Sequence, residues 1–263
     1  EFDSHRALYD WYLEHCPLPG DQPRQTEFAR LELTYTVTSK RKLRQLIDEG
    51  VVEGWDDPRL PTLRALRRRG YPATAIRDFC DFIGVAKTNS RHQIELLEWF
   101  IRNELNRTAL RRMAVLAPIK LVVTNWPEGH VEMVELANNP ENPADGVRQV
   151  AFTGEVWIES DDFKAEPPPK YFRLTPGSEV RLRGAFYVKC TGFSTDDAGN
   201  VTEVQCTYDP ATRGGSAPDG RKVKATIHWV STAHAVDIQA AQYERLFTAE
   251  VPGERTGDPF DDV

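Results

Sequence analysis

The stretch TYTVTSKRKLRQLIDEGVVEGWDDPRLPTLRALRRRGYPATAIRDFC, residues 34–80, decides how the chain is read. It sets a short Ser-Lys loop between a β-type run and a basic helix. LELTYTV (31–37) alternates large apolar and polar residues and is rich in β-formers, so it predicts a strand. KRKLRQLID (40–48) predicts a helix with Leu43, Leu46 and Ile47 on one face. Thr38, Ser39 and Lys40 lie between, offering two hydroxyls, backbone N–H groups and one ammonium. A helix N-terminus favours anions and lysine adds a point charge, so the loop suits the phosphates of a nucleotide. The alternative is a capped helix with a solvated basic first turn. Spacing alone favours that alternative, because Ser-Lys pairs are common.

Working outward, the pattern changes near Ala117. Before it, helical periodicity dominates. HRALYDWYLEHC (5–16) puts Leu8, Trp11, Tyr12 and Cys16 on a stripe expected to face inward. ATAIRDFCDFIG (73–84) repeats the period and ends on Gly84 as a C-cap, with Cys80 expected as a buried thiol. QIELLEWFIRNEL (93–105) carries Leu96, Leu97, Phe100, Ile101 and Leu105 at the same spacing. After Ala117, runs such as IKLVVTN, QVAFTGEVWI, EVRLRGAFYVK and VTEVQCTY alternate with polar turns, which suggests a closed antiparallel barrel. AEPPPK (165–170) is a stiff extended loop, and PGERTGDPFDDV reads as a polar linker or tail.

The 263 residues suffice for two domains. With 28% charged and 40% hydrophobic residues the composition is that of a globular chain, without an apolar run long enough to span a bilayer and without a signal-peptide pattern. A cytoplasmic protein with reduced thiols is expected. The chain begins at Glu1 without methionine and reads as a piece of a longer protein. Its net charge of −7 excludes a uniformly basic surface, but Lys40–Arg44, Arg64–Arg69 and Arg107–Arg112 hold three local basic clusters. Each alone is an ordinary solvated helix face; three in succession point to a phosphate backbone. The four cysteines form no CxxC pair, and no metal site is expected. Cys190 and Cys206 flank the turn DDAGN and are placed to face each other. His228 and His234 have no ligand-spaced carboxylate or cysteine, so a core or rim role is expected of them.

VTSKRKL, VEGWDDPRLPTLRALRRRGY, RQVAFTGEVWIE and GRKVKATIHWVSTAHA, in that order, closely resemble the glutaminyl-tRNA synthetases. The resemblance runs over nearly the whole chain and weakens in the last ten or so residues. It implies an α+β multidomain fold: the helical end of a class I catalytic (Rossmann-type) region over 1–116, an antiparallel anticodon-binding β-barrel over 117–250, and a tail over 251–263. Val37, Thr38, Ser39, Lys40 and Arg41 match the second class I signature, usually written KMSKS, with Thr38 in the place of the usual methionine. Lys40 would act in catalysis, and Arg30, Leu31, Thr38, Ser39 and Lys40 would bind ATP. Lys87, Asn89, Ser90 and Arg91, in AKTNSRHQ, would touch tRNA; by pattern alone this segment is equally an N-capped connector between helices.

In the barrel, Arg111, Arg173, Arg181 and Arg183 match anticodon-contacting positions, and Arg181 and Arg183, two apart, share a sheet face. Solvent exposure is the plainer reading of that pair. Lys170 and Glu141 stand where the family has glutamine and asparagine, so base contacts are not expected from them. The implied activity is glutamine–tRNA ligation: an ATP-binding, nucleotide-binding, tRNA-binding ligase of protein biosynthesis, using ATP with Mg2+, glutamine and tRNA, as a monomer. The first class I signature (HIGH-like) is absent from the sequence, so the chain alone is expected to be inactive. The runner-up is a glutamate–tRNA ligase of the archaeal or eukaryotic type, sharing SKRKL and GWDDPR; IHWVSTAHA favours glutamine. A non-catalytic tRNA-binding module is the reading from a different class, and the intact Ser39-Lys40 loop argues against it.

Overall fold

The computed structural model describes residues 3–16 and 19–263 and divides into two units. One comprises residues 1–106 and 242–263, the other residues 107–241. This division differs from the one read in the sequence at both ends: the change comes earlier than 116/117, and residues 242–263 group with the first unit. Among the described residues no helix is long and apolar enough to cross a membrane.

The first unit holds α1 (Arg6–His15), β1 (Leu31–Leu33), α2 (Lys40–Asp48), α3 (Leu63–Arg68), α4 (Ala73–Ile83), β2 (Ser90–His92) and most of α5 (Ile94–Thr108). α2 runs over the nine residues expected, and its apolar stripe explains why: Leu43 and Leu46 are buried with Val37, Val52, Leu60, Ala65, Leu246 and Phe247. α3 starts at Thr62, whose Oγ1 accepts the Ala65 N–H at 3.1 Å. α4 ends at Gly84, whose φ of +66° makes glycine the natural stop. A second cluster joins Ala75 and Phe79 of α4 to Leu97 and Ile101 of α5, with Leu31 and Leu33 of β1 packed against it.

The structure departs from the sequence reading at several places. The strand stops at Leu33 rather than Val37, because Tyr35 turns the chain at φ +55° with its N–H bonded to Glu250 O at 2.8 Å. The segment 86–93 is no plain connector: it contains β2, which pairs in parallel with β1 (Leu31↔Ser90, Glu32↔Arg91). The cap of α5 comes from outside that segment: Thr34 Oγ1 accepts the Ile94 N–H at 3.0 Å. α1 buries none of its residues; Leu8, Trp11 and Tyr12 are half-exposed and Trp11 stacks on His15 at 4.1 Å. Cys80 is exposed, since its predecessor Phe79 takes the inward position on α4. The 251–263 stretch folds back: the buried Asp262 carboxylate accepts the Gly253 N–H at 2.7 Å, and Thr248 N–H reaches Asp262 O at 2.7 Å.

The second unit holds β3 (Pro118–Val123), β4 (Glu132–Ala137), β5 (Val147–Phe152), β6 (Glu155–Glu159), β7 (Glu179–Leu182), β8 (Tyr187–Thr195), β9 (Val201–Asp209), β10 (Thr226–Ile227) and β11 (Val230–Ser231). Seven form one sheet in the order β10-β7-β8-β9-β3-β6-β11, and β4 and β5 form a hairpin. The edge strands β10 and β11 are separated in sequence only by His228 and Trp229, so the sheet must curl to bring its edges together. It is not wholly antiparallel: β3 with β9 and β7 with β10 run parallel. Alternating buried residues of these strands, with Phe152, Phe186 and Trp229, fill the interior. Trp229 is fully buried, meets Phe152 edge-on at 4.8 Å and donates to Arg183 O at 3.1 Å.

Candidate functional sites

In the first unit the parallel pairing of β1 with β2 joins residues 59 positions apart in sequence. Arg30 N donates to Asn89 Oδ1 at 3.2 Å. Glu32, half-buried, receives Arg91 at 3.1 Å and pairs with Arg30. Its loss of water would raise its pKa; the hydrogen bonds from Arg30 and Arg91 outweigh that and hold the carboxyl below its ordinary range. Arg30, Arg91, Thr38, Ser39 and Lys42 line one cleft of about 240 Å³, with Glu250 and Pro252 on its wall. Arg30 and Arg91, which the sequence assigned to ATP and tRNA separately, therefore meet in one place.

The loop is held from both sides. β1 anchors in the cluster of α4 and α5, and Val37 is buried in the cluster of α2. Between them Thr38 and Ser39 emerge exposed, and the chain enters α2 directly. Ser39 makes no side-chain cap, and the first bond within α2 runs from Leu43 N to Ser39 O at 2.9 Å. The N–H groups of Lys40, Arg41 and Lys42 thus have no partner within the helix. Lys40 and Arg41 are exposed, and Lys40 forms no ion pair with any described residue; Lys42, which the sequence reading placed only in a basic cluster, lines the cleft. Leu31 packs partly buried against the α4–α5 cluster. Lys87 is exposed, and Ser90 Oγ lies 3.1 Å from His92 Nε2.

Behind the loop, the Asp-Asp-Pro-Arg turn is braced by Asp57. Its buried carboxylate takes both prongs of Arg59, at 2.9 and 2.7 Å, and the N–H groups of Glu53 and Arg59. The Arg59 hydrogen bonds are the main cause of its pKa falling to about 2.

In the second unit the four arginines sit in different surroundings. Arg111 N–H bonds Asn138 O at 2.6 Å and its guanidinium donates to Ala109 O at 3.0 Å. Arg173 is half-exposed and pairs with the buried carboxylate of Asp162. Arg181 donates to Tyr187 Oη at 3.1 Å and lies over that ring at 5.4 Å; Arg221 covers the same ring at 5.4 Å. Arg221 is fixed in turn by Glu179 at 3.2 Å, Asp219 at 2.6 Å and Asp209. Tyr187 and Arg221 were not foreseen as supports for Arg181, since they lie 6 and 40 residues away. Arg183 is exposed, one residue past β7, and alternates with the buried Val180 and Leu182 as Arg181 does. Of the histidines, His228 Nε2 is 2.7 Å from Ala114 O and His234 Nδ1 is 3.1 Å from Ser231 Oγ. Among the described residues no three His, Cys, Asp or Glu side chains are grouped to hold a metal ion.

The chain belongs to the class I tRNA synthetases of the E and Q type: residues 1–107 match the catalytic-domain model of that family and residues 109–209 its anti-codon binding domain. Within it the similarity is to glutamine–tRNA ligases. The chain is 56% identical over 252 residues to that of Bradyrhizobium diazoefficiens, covering 96% of this chain and 45% of the relative. It is 54% identical over 246 residues to that of Clostridium perfringens, covering 94% and 44%. With the Rhodopirellula baltica protein it shares 55% over 252 residues, covering 96% and 42%. The chain therefore spans less than half the length of these curated relatives.

Proposed function

We propose that this chain is part of a glutamine–tRNA ligase, carrying the later portion of a Rossmann-type ATP site in residues 1–106 and an anticodon-reading barrel in residues 107–241. The observation that carries the proposal is the cleft beside the first turn of α2, lined by Arg30, Arg91, Thr38, Ser39 and Lys42 together with Glu32, which pairs with both arginines. The donor set fits a polyphosphate: guanidinium and ammonium groups, two hydroxyls and a helix N-terminus.

In the first step of the reaction the glutamine carboxylate attacks the α-phosphorus of ATP and the bond to the β-phosphate breaks. Negative charge collects on phosphate oxygens, so positioned cations and donors speed the step. Lys40 and the N–H groups of α2 supply them. Thr38 and Ser39 line the approach, and the backbone at Arg30 and Leu31 lies along the adenosine. Mg2+ travels with ATP. In the second step the tRNA ribose hydroxyl takes the acyl group and AMP leaves. Lys87, Asn89, Ser90 and Arg91 then contact tRNA beside the same cleft.

The curled sheet supports a closed barrel whose Arg111, Arg173, Arg181 and Arg183 meet splayed anticodon bases. A cytoplasmic monomer suits this role. The test is aminoacylation by the complete enzyme with glutamine or glutamate as substrate. Charging with glutamine alone supports the proposal; charging with glutamate, or neither, refutes it.

A further inference from the structure

Cys190 and Cys206 lie directly opposite each other on β8 and β9 and are 1% and 0% exposed. Their backbone groups turn away from one another. Cys190 N–H bonds Ser178 O at 3.0 Å and its carbonyl accepts Gly177 N–H at 3.1 Å, while Cys206 O accepts Thr124 N–H at 2.8 Å. The two residues are therefore a non-hydrogen-bonded antiparallel pair, the kind whose Cα atoms come within about 4.5 Å and whose side chains are closest. That spacing lies at the short end of the range, about 4.4–6.8 Å, that a disulfide bridges without moving backbone. Both side chains belong to the same buried core cluster of the sheet. Neither has a part in the proposed function.

We propose that Cys190 and Cys206 are a reversible oxidation site, a dithiol that closes to an intramolecular disulfide when met by a small peroxide. The inference rests on the register of β8 with β9 and is independent of the ligase reading. Cys190 is the attacking sulfur. It sits next to the β-bulge, where the ladder is open, while Cys206 lies deeper in the sheet; in keeping with this, its neighbour Cys206 lowers the Cys190 pKa and the Cys206 thiol is raised beside Cys190 and by burial. Cys190 Sγ also reaches Gly192 O at 3.5 Å, at a β-bulge where β8 passes from buried to exposed residues. A bulge disrupts the ladder locally, so local opening of β8 at this point is the route by which peroxide would reach Cys190.

The Cys190 thiolate attacks one peroxide oxygen, the O–O bond breaks, and hydroxide leaves behind a sulfenic acid. Cys206 sulfur then attacks the Cys190 sulfur, the S–O bond breaks, and the Cys206 proton departs with the oxygen as water. In total two thiols and one hydrogen peroxide give one disulfide and two waters.

The experiment uses the 263-residue chain with the exposed Cys16 and Cys80 changed to serine. It is treated with hydrogen peroxide under native conditions, then alkylated in denaturant. Expected are the loss of both alkylatable thiols, a linked Cys190–Cys206 peptide on non-reducing mapping, and recovery of both thiols with dithiothreitol. In Cys206→Ala, dimedone should trap sulfenic acid on Cys190; in Cys190→Ala, Cys206 should stay unmodified. Melting curves of both variants establish that they are folded. Two intact thiols after peroxide, oxidation only in denaturant, linkage between chains, or dimedone labelling of Cys206 would each overturn the proposal. The parent arm decides it even if a variant fails to fold.

Discussion

Replacing Arg59 with alanine removes the cation from a carboxylate that is 3% exposed. In the wild type Asp57 takes Arg59 Nε at 2.9 Å and a terminal nitrogen at 2.7 Å, and two backbone N–H groups besides. After the change only the two backbone donors remain. Breaking a buried pair from one side costs about 3–5 kcal/mol. The retained donors, and an Arg59 side chain already one-third exposed, place this case near about 3 kcal/mol. The depressed pKa of Asp57 is of the same order. A fall from 3.8 to about 2 in the folded state corresponds to about 2 kcal/mol of stability. The sign follows from the depressed folded value: the contribution is complete above the ordinary carboxylate range and is lost as pH falls through 3.8 towards about 2. The assay is hydrogen exchange of peptides covering residues 40–60, at neutral pH and at pH 3. Wild type should lose protection at the lower pH, and Arg59→Ala should have lost it already at neutral pH, with a smaller further change on acidification. Equal protection in both proteins at neutral pH would refute the reasoning.

In the second unit, Arg173→Ala should destabilise the fold by about 3 kcal/mol by stranding the buried Asp162, whereas Arg183→Ala should change stability by less than about 0.5 kcal/mol. Thermal melts of the two variants separate these outcomes, and equal melts would show that the Asp162 pairing is inconsequential. Arg183→Ala in the complete enzyme should discriminate among anticodon-swapped tRNAs by roughly 1–3 kcal/mol, on the scale of a lost bidentate base contact. Uniform weakening over a salt series would make it a phosphate contact instead. Gly184→Ala should cost about 1–3 kcal/mol, because the residue sits at φ +68° and an added Cβ would overlap Leu136 Cδ2; an unchanged melting temperature would contradict that packing.

What the sequence revealed and concealed follows physical lines. α2 was legible end to end because its period and its burial coincide in Leu43 and Leu46. Gly84 was legible because few other residues accept its backbone. The facing of Cys190 and Cys206 followed from one short turn. The strand end at Leu33 was not, since alternation continues to the buried Val37 while Tyr35 redirects the chain into a different cluster. Periodicity marked a stripe on α1 but carries no information on what covers it. In the candidate site, local pattern offered Thr38 and Ser39 only as a helix start, and the family resemblance was what pointed to a nucleotide there. The meeting of Arg30 with Arg91 through Glu32 depends on a three-residue parallel pairing across 59 positions, which leaves no local trace. The same holds for the bracing of Arg181 by Tyr187 and Arg221.

The central claim is that the start of α2 handles the phosphates of ATP, and Lys40 is the residue on which it turns. ATP–pyrophosphate exchange by the complete enzyme carrying Lys40→Ala tests it most directly, with tRNA affinity measured on the same sample. The account predicts a fall in exchange of about 10²–10³-fold, the scale of one preorganised electrostatic contact, with tRNA affinity unchanged. Exchange at the wild-type rate would contradict it and make Lys40 an ordinary solvated residue at a helix start.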